Sequence, residues 1–142
     1  MKPEFSARTL LAAVWLICFA TAVSMPLYLQ VSHRAEWGTI KPALDALSDV
    51  YAPYLGLILA FYFGTHSRLG GRRTSVTPAG ILAIILSMLW NVFIVGCALL
   101  AVLGYLPIEE STQRILEIGP KFAWLVAPAI GYFFAKSKSA EA

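Results

Sequence analysis

Four apolar runs govern what this chain can become: residues 9–31, 50–65, 77–106 and 119–135, each without Asp, Glu, Lys, Arg or His across its middle. A helix rises 1.5 Å per residue, so a hydrocarbon core of about 30 Å takes roughly 20 residues to cross. The first and third runs meet that length outright. The second and fourth fall short and must draw on residues upstream. Ile40, Leu44, Leu47, Tyr51 and Tyr54 recur at intervals of four, three, four and three, which is a helical stripe. Pro42 suits a first helical turn, so the second helix is expected to begin near it, its opening turns lying amphipathic in the outer interface. For the fourth, Ser111 or Thr112 is expected to cap a lead-in bearing Ile115, Leu116 and Ile118, with Arg114, Glu117 and Lys121 paired along one face. The expected fold is all-α: an integral membrane four-helix bundle in one transmembrane domain, residues 1–142, with an amphipathic lead-in on the outer side of helices 2 and 4.

Composition agrees. Of the 142 residues, 58% are hydrophobic and 13% charged, where a soluble domain carries about 25% charged. A water-facing surface so poor in charge would expose large apolar patches. The net charge of +3 does not point to nucleic acid, because the basic residues flank the apolar runs and form no stripe. They report topology. Lys2, Arg8, Arg68, Arg72, Arg73, Lys136 and Lys138 fall on one side, and Arg34, Lys41, Arg114 and Lys121 on the other. The richer set marks the cytoplasmic face, so both termini are expected inside, in a prokaryotic inner (plasma) membrane. Ala20-Thr21-Ala22 resembles a signal-peptide cleavage site. However, the apolar run continues to Val31, which reads as a first crossing that is kept.

The halves 1–70 and 71–142 look alike: long span, acidic outer loop, short span ending in an aromatic triplet. Ala52, Gly56, Ala60 and Gly64 are spaced by four, as are Ala123, Ala127, Gly131 and Ala135, and these two ladders align at an offset of 71. Aligning Tyr62 with Tyr132 needs 70 instead. Ala79 and Ala83, continued by Ser87 and Asn91, repeat the same spacing. Small residues on one helix face let backbones approach closely, and such packing holds helices together where lipid supplies no hydrophobic drive.

Asn91 is the most polar side chain deep in any span. Its amide is expected either to bond another helix or, with Ser87, Ser24, Thr21 and Gln30, to line a polar path. Cys18 and Cys97 are read as packing residues at different depths. No His/Cys spacing fits a metal, and no cofactor is expected. Proton- or sodium-coupled carriers usually place an ionisable group at the midplane, and none is present. No acid–base pair or activated nucleophile points to an enzyme. The basic loop with Arg68, Arg72 and Arg73 is expected to meet lipid headgroups or a cytoplasmic partner. These features favour a homo-oligomer, expected to form a channel or pore. An accessory or scaffold subunit is the main alternative, and an uncoupled carrier the third.

Overall fold

The computed structural model describes residues 7–65 and 78–134, which form five helices and no strand. They are α1 (Ala7–Val31), α2 (Trp37–Thr65), α3 (Pro78–Val102), α4 (Ile108–Lys121) and α5 (Ala123–Phe134). Three are long and apolar enough to cross a membrane, over Thr9–Val31, Trp37–Ala60 and Ile81–Val102. Ile17, Leu57, Leu89 and Val92 on these helices are each more than half exposed, a surface that suits hydrocarbon better than water.

The backbone repeats itself. α1 and α3 each have 25 residues, and both their starts (Ala7, Pro78) and their ends (Val31, Val102) lie 71 residues apart. They also stop in the same way. The His33 N–H donates to the Gln30 carbonyl and the Arg34 N–H to the Leu29 carbonyl, both at 2.9 Å. Seventy-one residues on, Gly104 donates to Ala101 at 3.1 Å and Tyr105 to Leu100 at 3.0 Å. Each turn passes through a left-handed residue, His33 at φ 55° and Gly104 at φ 79°, which only glycine adopts without steric cost. α2 and α4 then begin at Trp37 and Ile108, again 71 apart. The two turns are also joined: Arg34 Nη1 donates to the Val102 carbonyl at 2.9 Å, a cation placed on the C-terminal end of α3.

Several expected boundaries move. The second helix was expected to begin near Pro42, ahead of its 50–65 span, and α2 runs unbroken from Trp37, five residues earlier. Ile40, Ala43, Ala46 and Leu47 are buried while Lys41, Pro42 and Asp45 are exposed, so its opening turns are amphipathic, as expected. The third run stops at Val102, because the turn through Gly104 ends the helix well before residue 106. The fourth is divided: Phe122, at φ −97° and ψ 2°, separates α4 from α5 just after Pro120. Neither Ser111 nor Thr112 caps a helix. α4 starts behind Pro107 with no side-chain cap, and the Ser111 hydroxyl instead donates to the Cys97 carbonyl of α3 at 2.7 Å. Arg114 pairs with Glu110 at 2.6 Å, while Glu117 accepts from Gln113 at 2.8 Å. A Glu one turn before its Arg is the favoured helical order.

The core is built from all five helices, α2 and α3 lying on opposite sides of it and joined through α1, α4 and α5, with Leu11, Leu47, Ile58, Ile94, Ile115 and Ile130 buried in it. Among the described glycines, Gly119 has the least room for a side chain. A Cβ there would lie 2.9 Å from Val50 Cγ1 and 3.2 Å from Cγ2. Gly119→Ala is therefore expected to cost about 1–3 kcal/mol, read as a lower thermal midpoint in detergent, and Val50→Ala should recover most of the loss. At Gly131 a Cβ meets nothing within 4 Å, so Gly131→Ala should leave the midpoint unchanged or slightly raised.

Candidate functional site

The deepest polar group is built from the inward face of α3. Ala83, Ser87 and Asn91, four residues apart, are buried, the last two completely. An amide in that position must find partners inside the protein. Asn91 Nδ2 donates to the Ser87 carbonyl one turn back at 2.8 Å. Its Oδ1 accepts from the Tyr51 hydroxyl of α2 at 3.0 Å. Tyr51 is also wholly buried. The one interhelical hydrogen bond described between two buried side chains thus ties α2 to α3.

Rings surround that bond. Trp15 of α1 stacks on Trp90 of α3, with centroids 5.1 Å apart and planes at 26°. Tyr51 stands edge-on to both, at 5.8 Å from Trp15 and 5.3 Å from Trp90. Tyr54 and Phe19 complete the cluster at 5.1 Å from Trp15 and 5.2 Å from Tyr51. Such pairs contribute about 0.5–1.5 kcal/mol each beyond area burial. Trp90 Nε1 donates to the Gly119 carbonyl at 3.1 Å, which brings the end of α4 onto the same cluster. Among the described residues, the Trp15 indole nitrogen and the Ser87 hydroxyl are buried without a hydrogen-bond partner.

The five polar-path candidates do not come together. Ser87 and Asn91 are enclosed, whereas Ser24 is exposed and donates to the Thr21 carbonyl of its own helix at 2.8 Å. Thr21 and Gln30 are half-buried. The small-residue ladders also part ways. Ala83 faces inward, but Ala52, Gly56 and Ala60 are exposed along α2, and a Cβ at Gly56 meets nothing within 4 Å. On α5, Ala127 is exposed while Ala123 and Gly131 are half-buried. Gly64 lies in α2 and Ala79 in α3, but their surroundings fall outside the described residues, as do Ala135 and the basic loop with Arg68, Arg72 and Arg73. Both cysteines are free. Among the described residues, no group of His, Cys, Asp and Glu could hold a metal ion.

Trp15 and Tyr51 were not picked out as site residues. Tyr51 entered only as one residue of the helical stripe on the second helix. The missed signal was Asn91 itself, which requires a donor at its own depth. Tyr51 belongs to the stripe that turns α2 toward the core. In comparisons with protein-family models, curated proteins and solved structures, nothing matches this chain.

The Tyr51–Asn91 bond can be weighed directly. Asn91→Leu strands the Tyr51 hydroxyl and is expected to cost about 1–3 kcal/mol. Tyr51→Phe should cost less. A double-mutant cycle on thermal or denaturant unfolding should return a coupling of about 0.6–1.7 kcal/mol, as for hydrogen bonds between membrane helices.

Proposed function

We propose that the chain is a small, non-enzymatic protein of a prokaryotic inner membrane, crossing the bilayer four times with both ends inside. In this reading it pairs with a second copy of itself through the outward face of α2. The fourth crossing is α4 and α5 taken together, 108–134, the counterpart of α2 at 37–65. The shared offset of 71 in helix starts and closing turns supports an origin by tandem duplication, each half a two-crossing unit in the same orientation. The distribution of Lys and Arg supports the orientation.

One observation carries the self-association. Ala52, Gly56 and Ala60 form an exposed strip of small side chains at four-residue spacing on a helix able to span a membrane. Large aliphatic residues make the better contact with lipid tails, and an exposed small-residue face is what two membrane helices use to approach closely. A two-fold arrangement brings the same strip from each copy together. Ser87 and Asn91 face into each protomer, so a conducting path, in this reading, runs where copies meet. An accessory-subunit role uses the same strip with a different partner.

Native mass measurement in lipid separates these readings. The intact chain is expected as a dimer. Gly56→Leu, at an exposed position where a Cβ meets nothing within 4 Å, should weaken association about tenfold, or ~1.4 kcal/mol, with the thermal midpoint of the monomer retained. Asn91→Leu should lower the midpoint and leave the dimer. A wild-type monomer in lipid refutes self-association, and a stoichiometric foreign partner on the wild type identifies an accessory subunit.

A further inference from the structure

The outer surface of α3 and the α4–α5 joint enclose a groove that the proposed dimer face does not use. One section, about 440 Å³, is bordered by Phe93, Gly96, Leu100 and Arg114. The next, about 220 Å³, is bordered by Leu86, Phe93 and Phe122. Phe93 lines both, so the two sections adjoin along the helix. From Leu86 to Leu100 the groove follows roughly 21 Å of α3. Half of a bilayer's hydrocarbon core is about 15 Å deep, so the groove runs from near mid-membrane to the headgroup level on the side of the 103–107 turn.

Its walls are apolar apart from one cation. Arg114 borders the groove, and its guanidinium is held 2.6 Å from the Glu110 carboxylate one turn earlier. Both are about half exposed. We propose that this groove binds one phospholipid with an ethanolamine headgroup: an acyl chain along α3, the phosphate on Arg114 and the ammonium on Glu110. Charge complementarity selects that headgroup. Glu109, Glu117 and Lys121 are exposed on the same helix, so α4 presents three carboxylates against two cations, and a net-anionic lipid meets repulsion there. A zwitterion matches the adjacent pair. The guanidinium fork suits a phosphate, and a primary ammonium donates hydrogen bonds to a carboxylate, which a quaternary one lacks. The inference rests on the membrane reading and is independent of self-association.

The test is native mass spectrometry of the full chain after reconstitution in vesicles of equal phosphatidylethanolamine, phosphatidylcholine and phosphatidylglycerol. One phosphatidylethanolamine per chain should be retained, favoured about tenfold over the others, the effect of one charge-assisted hydrogen bond. Glu110→Gln should abolish the preference over phosphatidylcholine, whereas Arg114→Ala should weaken retention of all three lipids, whose phosphate it would hold. Gly96→Leu fills the groove, and since a Cβ at Gly96 meets nothing within 4 Å, the fold should be kept, as an unchanged thermal midpoint will verify, while the lipid is lost. Gly56→Leu, on α2, should retain it. Equal retention of the three lipids by the wild type, or undiminished retention by folded Gly96→Leu, overturns the proposal.

Discussion

The hydrogen bond between Tyr51 and Asn91 is the constraint around which the other contacts are arranged. If the helices separate, Asn91 Nδ2 keeps the Ser87 carbonyl of its own helix, but Oδ1 and the Tyr51 hydroxyl lose each other, and a buried polar group without a partner is costly. The bond reaches across the core from α2, which packs on α1, α4 and α5, to α3. Once Tyr51 is committed to it, Trp15 and Trp90 stack beside it, and the Trp90 indole reaches the Gly119 carbonyl. Gly119 must then lack a side chain, because Val50, the neighbour of Tyr51, lies against it. Thus one polar contact on α3 links the positions of α1, α2 and α4.

The same geometry divides the small residues into two kinds. On α3 they lie on the inward face, where Ala83 and Ser87 are buried. On α2 they meet no neighbour, because the opposite stripe of that helix, Leu47, Tyr51, Leu55 and Ile58, carries the packing. Both ladders have the same spacing. Only the position of the large residues on the same helix distinguishes a face used within the chain from one left open.

Much of the fold was legible in the sequence for physical reasons. Uncharged runs long enough to span hydrocarbon marked α1 and α3, since length and the absence of charge are what a bilayer demands. The ladder Ala52–Ala60 and its counterpart on α5 carried the offset of 71, which the helix starts and the two closing turns share. What stayed hidden depended on partners distant in the chain. Nothing near Ser111 shows that its hydroxyl will serve the Cys97 carbonyl in place of a cap. The burial of Ile40 to Leu47 depends on α4 standing beside them. That Tyr51 would bond Asn91 was equally hidden, since the acceptor lies 40 residues away in the chain.

The central claim is that α2 is open to a second copy while the polar face of α3 is closed within one. Cysteine cross-linking in native membranes tests it most directly, on a background of Cys18→Ser and Cys97→Ser. With a mild oxidant, Gly56→Cys should give a covalent dimer and Ala83→Cys should remain monomeric, although both belong to small-residue ladders of the same spacing. A dimer through residue 83, or none through residue 56, contradicts the account.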